Sequence, residues 1–235
     1  NLEEAFQALE KFQFLEKFTI EPHKDEVMFL RVAGAETEKA IDSALTSVGA
    51  RLFNLNQWTK SAWDRRFAFD VGAVTPRAKS EGMKNALSAA GAVSLDGDTA
   101  TKESFRVYFG EPATPNEINT TVMPLEAGID DAVHENKGCY PGQEVIERIR
   151  TMGQVPRKLI CVRGAGAAPA QYSAPSQMAK ILGQVKGDSP AEAGVLTSVA
   201  TDPTDSSKWV GIALLKKMYL KDEPVFSIDE KPVQV

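Results

Sequence analysis

The sequence predicts an α+β protein in which mixed sheets and helices are followed by a small C-terminal antiparallel β-barrel. Residues 27–55 read as strand, helix and strand, a unit of about 30 residues that is typical of mixed folds. After residue 156 the pattern changes to short, partly β-branched runs separated by Gly, Pro, Asp and Ser. Strands at this spacing indicate a small barrel. We therefore expect two domains, residues 1–156 and residues 157–235.

Apolar spacing and capping residues predict the elements of the first domain. The chain opens with apolar residues at helical spacing, which predict a helix to about Lys17. Pro76 stands where the first turn of a helix tolerates proline, and Asp98 or Thr99 can cap a later helix. The predicted strands are 27–32, 52–55 and 67–71, and the predicted helices are 36–48, 78–90 with Gly91 as its stop, and a helix ending at Tyr108.

Five strands are predicted for the second domain from its short apolar runs. They cover residues 158–163, 178–185, 194–200, 210–215 and 224–228. The segment between the first two is rich in Ala, Gly and Pro, and residues 202–208 form a polar hairpin loop.

Charge and hydropathy exclude several classes of protein. The chain has no apolar run of about 18 residues and no leader-like start, so we expect no membrane span. A net charge of −5 argues against nucleic-acid binding. Residues 137–158 nevertheless hold five basic residues against two acidic ones, which suits a small anionic ligand. Because the first residue is Asn rather than Met, we expect a preceding segment to be missing.

The number of cysteines and histidines limits which disulfide and metal sites the chain can form. Two Cys and two His, widely scattered, provide neither a disulfide framework nor the four ligands of a structural zinc or iron–sulfur site. We therefore predict no metal site within this chain, a reducing cytoplasm and a monomer.

The stretch that carries the chemistry is centred on Cys139. Gly138, Pro141 and Gly142 predict a tight turn that opens into a helix over residues 143–152, with Gly153 as its left-handed stop. A cysteine just ahead of a helix N-terminus lies near free N–H groups and the positive end of the helix dipole. These groups, with the nearby cation of Lys137, favour a thiolate. The alternative is a small thiol in a sterically required turn.

This stretch, Lys137-Gly138-Cys139-Tyr140-x-Gly142-Gln143-Glu144, resembles the signature of the YgfZ family of folate-binding proteins. That family is related to the T-protein, the aminomethyltransferase of the glycine cleavage system. Weaker similarities to the family occur in the same order along most of the chain. They are Phe105-Arg106-Val107, Gly110-Glu111-Pro112, Pro124-Leu125-Glu126-Ala127-Gly128, Arg157-Lys158-Leu159 and the later strands.

The resemblance implies a T-protein-like folate-binding core and a role in assembling or repairing iron–sulfur clusters in client enzymes. Cys139 and Lys137 would be the reactive pair, and the ligand would be tetrahydrofolate or a derivative. The residues expected to bind it are Tyr108, Glu126, Tyr140, Gly142, Gln143 and Arg148, with Arg150 and Arg157 as further cations. For each charged residue, a plain salt bridge is the alternative.

One departure from the T-protein pattern bears on activity. Tyr108 stands where the aminomethyltransferases carry a pterin-binding glutamate, and those enzymes lack a cysteine at position 139. Three hypotheses therefore remain: an iron–sulfur maturation factor, a folate-dependent aminomethyltransferase or other one-carbon transferase, and a binding module that has lost folate. We rank them in that order.

Overall fold

The computed structural model describes nearly all of the chain after residue 70 and parts of the chain before it. The described residues are 7, 10–11, 27–33, 40, 44, 51–53, 70–130, 133–134, 138–153, 155–169, 179–184, 189–220 and 225–235. The two predicted helices that precede residue 49 lie outside the described residues, apart from single helical positions.

The chain divides into two compact units. One comprises Asn1–Asn56 and Phe67–Ser94, and the other comprises Gln57–Arg66 and Leu95–Val235. The domain boundary predicted near residue 156 stays a prediction.

The first unit contains a three-stranded antiparallel sheet followed by a helix. Strand β1 is Val27–Ala33, β2 is Arg51–Phe53 and β3 is Asp70–Pro76, with β3 in the middle. A 3-10 turn, Arg77–Lys79, leads into helix α1, Ser80–Ala89. The buried residues of its core are Ala40, Ala44, Met83 and Leu87.

The described strands and helix of this unit follow the sequence prediction to within a few residues, except at Pro76. Strand β3 continues past Val71 to Pro76, which pairs with Val27 and does not lie in the helix. A strand end tolerates proline because the ladder does not need the missing N–H there. Helix α1 therefore begins at Ser80, and Gly91, with φ of +92°, follows its end as predicted.

Two described helices lie in the second unit. Helix α2 is Thr99–Tyr108, and Asp98 caps it by accepting a 2.9 Å hydrogen bond from the backbone N–H of Thr101. Helix α3 is Gln143–Met152, as predicted.

The second unit also contains a six-stranded antiparallel sheet. Its strands are β4 Arg157–Ala165, β5 Lys180–Gln184, β6 Ala191–Thr201, β7 Lys208–Lys216, β8 Val225–Ile228 and β9 Lys231–Val233, in the order β4-β7-β6-β5-β8-β9. The sheet curls until its outer strands meet at one bridge, where Arg163 and Gln234 exchange two backbone hydrogen bonds of 2.9 Å. The five predicted strands are confirmed, and β9 is an addition.

Strand β7, which lies between β4 and β6, is buried on both faces. Seven consecutive residues, 209–215, are buried. On one face Trp209, Ala213 and Leu215 fill the interior of the curled sheet. On the other face Val210, Ile212 and Leu214 pack with Val107 of α2. A strand covered on both sides reads as a continuous apolar run, which is why the sequence pattern identified it.

The architecture is therefore a mixture of helices and sheets with a curled antiparallel sheet at the C-terminal end. Within the described ranges, no helix is both long enough and apolar enough to cross a bilayer.

The β8–β9 hairpin provides a test of local backbone strain. Ile228 pairs with Lys231, so the loop is the two residues Asp229 and Glu230, with φ of +47° and +64°. This loop needs positive φ at both positions, which favours Asp-Gly over Asp-Glu. We expect Glu230→Gly to raise the free energy of unfolding by about 0.5–1 kcal/mol in urea denaturation, because a left-handed side chain costs about 1–2 kcal/mol. Lys231→Gly, one residue later in a strand, should lower it. If both variants changed the free energy of unfolding in the same direction, this loop geometry would be contradicted.

Candidate functional site

The signature turn has the predicted geometry. Gly142 has φ of +84° and is the N-cap of α3, and Gly153 ends the helix with φ of +78°. The N–H of Gln143 donates to the carbonyl of Tyr140 at 3.2 Å, which closes the turn. A side chain at Gly142 would meet no atom within 4 Å, so glycine is needed there for its backbone conformation and not for space.

The two cysteines lie in opposite environments. Cys139 is exposed in the signature turn. Cys161 is on β4, and its Sγ lies 3.8 Å from the carbonyl of Val107 on α2. Burial raises the pKa of Cys161 to about 12, although the charge of Arg163 acts in the opposite direction. Lys137, the predicted activating cation, lies outside the described residues.

Tyr140 connects the signature turn to the loop that precedes it. It is half-buried against a cluster formed by Leu125, Val133 and Ile146. Ile146 is a buried residue of α3, so the turn and the helix rest on the same apolar surface. This packing fixes where the exposed thiol is presented.

Glu126, next to Leu125, is fully buried and is paired with Arg157. Nε of Arg157 donates to Oε1 at 2.8 Å, and Nη2 donates to Oε2 at 2.8 Å. Oε2 also accepts the backbone N–H of Met123 at 3.1 Å. The hydrogen bonds from Arg157 to Glu126 raise the pKa of Arg157, so the guanidinium stays charged. The predicted acceptor and one predicted cation are therefore each other's partners.

Two backbone contacts add to this pair. Nη2 of Arg157 donates to the carbonyl of Thr121 at 2.8 Å, and the N–H of Leu159 donates to the carbonyl of Glu126 at 3.0 Å. The start of β4 is thus joined to the loop over residues 121–126.

The other predicted cations lie on α3. Arg148 is 65% exposed and forms a 3.3 Å ion pair with Glu144, which is 87% exposed. Arg150 is largely covered; it donates to the carbonyl of Val133 at 2.8 Å and pairs with Glu147 at 3.3 Å. Of these two cations, Arg148 is the one presented to solvent.

Tyr108 lies at the end of α2, against the outer face of the sheet. The guanidinium of Arg163 is 5.1 Å from its ring centroid, and Phe109 contacts it edge-on at 5.6 Å. Tyr108 packs with the cluster that contains Ala127, whereas Leu125 belongs to the cluster around Tyr140. The structure therefore brings Glu126 and Arg157 into direct contact and packs the signature turn in the cluster of the neighbouring Leu125, whereas Tyr108 packs against the separate cluster of α2 and the sheet.

Sequence analysis missed a second buried polar network. Glu117 is fully buried; it accepts from Ser198 Oγ at 2.7 Å and from Arg106 Nη1 at 3.2 Å. Arg106 Nη2 also donates to Ser198 Oγ at 2.7 Å, and Arg106 pairs with Glu103. This network joins α2 to β6. The sequence feature that could have revealed this network is Arg106, which lies between the apolar residues Phe105 and Val107 of α2. An arginine in apolar surroundings needs a buried anion as its partner.

Among the residues that the structure describes, no group of three or more His, Cys, Asp and Glu side chains could hold a metal ion. An exposed single thiol can still provide one ligand to a metal that other groups also bind.

Several known proteins are similar in sequence to this chain. No family model matches the chain. The tRNA-modifying protein YgfZ of Sodalis glossinidius is 27% identical over 165 residues, which are 68% of this chain and 49% of that protein. A mitochondrial iron–sulfur cluster assembly factor, the IBA57 homolog of Neurospora crassa, is 32% identical over 123 residues, 48% of this chain and 28% of that protein.

The chain is similar to proteins of the YgfZ family. These matches confirm the family resemblance predicted from the sequence, at modest identity. A chloroplastic protein of Arabidopsis thaliana, named provisionally as a transferase, is 32% identical over 115 residues, 49% of this chain and 24% of that protein. The chain thus spans between about a quarter and a half of the length of these YgfZ relatives.

We expect the two cysteines to differ in native alkylation. At pH 8 iodoacetamide should label Cys139 first, because a thiol with a pKa of about 12 is a thiolate in only about one molecule in 10⁴. Mass spectrometry of timed samples measures both rates, and a sample unfolded in urea is the control in which Cys161 becomes available. Equal native rates, or faster labelling of Cys161, would contradict the two environments.

The turn itself can be tested with two glycines that lie four residues apart. Gly142→Ala should lower the free energy of unfolding by about 1–2 kcal/mol, because alanine is strained at φ of +84°. Gly138→Ala is the matched control: its added methyl also meets no atom within 4 Å, so we expect a change below about 0.5 kcal/mol. Identical urea midpoints for the two variants would refute the left-handed cap.

Proposed function

We propose that this chain is a folate-binding factor that assists assembly or repair of iron–sulfur clusters in client enzymes, with Cys139 as its functional thiol. The observation that carries the proposal is the exposed cysteine in a glycine-shaped turn at the start of α3. The name of the Neurospora crassa relative, an iron–sulfur cluster assembly factor, supports the same role.

The turn suits a thiol that acts as a metal ligand. Residues just ahead of a helix meet free backbone N–H groups and the positive end of the helix dipole, and both stabilise a negatively charged sulfur. On binding iron the thiol gives its proton to solvent and its sulfur forms the bond. The two Cys and two His of this chain are widely scattered along the sequence, so the cluster would be shared with a client or assembly protein.

The residues around Glu126 fit the expected folate. A buried carboxylate that accepts two parallel N–H bonds is suited to the flat two-donor edge of a pterin. Arg148, exposed on α3, would bind the glutamate tail, while Tyr140, Gly142 and Gln143 would line the slot and Tyr108 would border it. When bound, a reduced folate supplies a carrier for one-carbon units. The T-protein-like core, a cytoplasmic location and a monomeric state belong to the same proposal.

A folate-dependent aminomethyltransferase or other one-carbon transferase is the second candidate. The provisional name of the Arabidopsis thaliana relative favours it. Against it, Tyr108 replaces the carboxylate expected there, and its ring packs on Arg163 and Phe109.

A binding module that has lost folate is the third candidate. It predicts that added folate does not change the melting temperature of the protein. If folate does bind, a concentration of 100 times its Kd should stabilise the fold by about 2.7 kcal/mol.

The first two candidates differ in what they require of the thiol. In cells that lack the native factor, Cys139→Ser should fail to restore iron–sulfur enzyme activity, while its folding free energy changes by less than about 0.5 kcal/mol because the side chain is exposed. Lys137→Met should be partly defective, because a nearby cation favours the thiolate. Cys161→Ser is the matched control and should keep the activity.

Rescue assays need equal expression of all variants, which immunoblotting verifies. Full activity with Cys139→Ser would remove the proposal and favour one-carbon transfer, because that chemistry does not need a thiol.

A further inference from the structure

The signature turn packs on two loop segments that lie outside the regular elements. Tyr140 contacts a cluster whose buried members are Leu125, Val133 and Ile146. Ile146 is part of helix α3, but Leu125 lies in a turn and Val133 in a bend. The hydrogen-bond ladder of a helix or strand does not fix these two residues. The position of the signature turn therefore depends on what holds their loops.

An arginine holds each of the two loops. Arg157 donates two hydrogen bonds of 2.8 Å to the carboxylate of Glu126, which lies 31 residues before it. Glu126 follows Leu125 directly, so these bonds fix the backbone beside Leu125. Arg150, which lies on α3 itself, donates from Nη2 to the carbonyl of Val133 at 2.8 Å, 17 residues before it. Both arginines thus bind the segments on which the turn packs.

The contacts of these two arginines differ from those of Arg148. The sequence favoured all three as cations for an anionic ligand. Arg150 also pairs with Glu147 at 3.3 Å, and its side chain is only 20% exposed. Arg148 is 65% exposed on the same helix. The structure therefore indicates a role within the protein for Arg150 and Arg157, and it leaves Arg148 as the candidate for the ligand.

We propose that Arg150 and Arg157 are positioning residues for Cys139. They hold the two loops on which Tyr140 packs, and Tyr140 directly follows Cys139 in the turn. The inference rests on the proposed function in taking Cys139 as the functional thiol. A thiol that is already held in place can bind an iron atom together with ligands from a second protein without first ordering its own loop, and that ordering would cost conformational entropy.

A similar ion pair elsewhere in the chain separates positioning from general stability. Arg106 also donates to a fully buried carboxylate, that of Glu117, and to Oγ of Ser198. These contacts join α2 to β6. Among the residues that the structure describes, none of α2 or β6 belongs to the cluster under Tyr140. Damage to this second pair should therefore weaken the fold without loosening the signature turn.

The order of the signature turn can be measured at the backbone N–H of Cys139. In ¹⁵N-labelled protein its relaxation order parameter should be about 0.85, the value of a rigid backbone. Arg157→Lys, which keeps the charge and loses the fork, should lower this value toward about 0.6, that of a flexible segment. Arg106→Lys is the matched control. It should lower the melting temperature as well, but it should leave the order parameter of Cys139 unchanged.

The second arginine has its own matched pair of variants on α3. Arg150→Met keeps an unbranched side chain but has no donor for the carbonyl of Val133, so the order parameter of Cys139 should again fall. Arg148→Met, the same change at an exposed position of the helix, should not affect it. If Arg157→Lys does not fold, Glu126→Gln replaces it, because the amide keeps the shape of the side chain and loses its charge; the same fall is expected.

The outcomes separate this inference from the proposed function. An unchanged order parameter in Arg157→Lys or in Arg150→Met, or an equal fall in Arg106→Lys, would overturn the positioning role. The rescue assay with Cys139→Ser would then still decide the function. If the turn loosens as expected but Cys139→Ser restores iron–sulfur enzyme activity, the positioning role stands and the proposed function of the thiol fails.

Discussion

A carboxylate that is buried away from water needs a cation or hydrogen-bond donors as partners, and Glu126 is such a carboxylate in this chain. Three consecutive buried residues serve three different partners: Leu125 packs under the signature turn, Glu126 binds Arg157 of β4, and Ala127 packs in the cluster between α2 and the sheet. Removing one partner of a buried ion pair typically costs about 3–5 kcal/mol, and less where one partner is partly exposed. The position of this segment, and of everything that rests on it, follows from that pairing.

The signature turn depends on the same segment. Tyr140 and Ile146 rest on Leu125, so the place where Cys139 is presented is set by a residue adjacent to Glu126. A second buried carboxylate, Glu117, joins α2 to β6 through Arg106 and Ser198. The sheet therefore holds the loops on its outer face by ionic contacts as well as by apolar packing. An exposed thiol on a rigid support is suited to transient ligation, because only the sulfur and not its surroundings has to adapt.

Much of the fold was predictable because its signals are local. Helix ends depend on residues within one helical turn, as at Gly91, Gly153 and the N-cap Asp98. The continuous apolar run of β7 likewise indicates a strand that is buried on both faces. Pro76 was misread because proline is compatible with both a helix start and a strand end, and only pairing decides. Arg157, the charged partner of Glu126, lies 31 residues away, and Ser198, one of the partners of Glu117, lies 81 residues away, so no local pattern could reveal these two contacts.

The central claim is that the ion pair between the buried Glu126 carboxylate and Arg157 anchors the segment that supports the signature turn. The side-chain Nε–H resonance of Arg157, assigned by comparison with Arg157→Lys in ¹⁵N-labelled protein, reports on this directly, since that N–H donates to Oε1 of Glu126. Its exchange with solvent should be much slower than that of the Nε–H of Arg148, which is exposed on α3. Equally fast exchange of the two resonances would contradict the account.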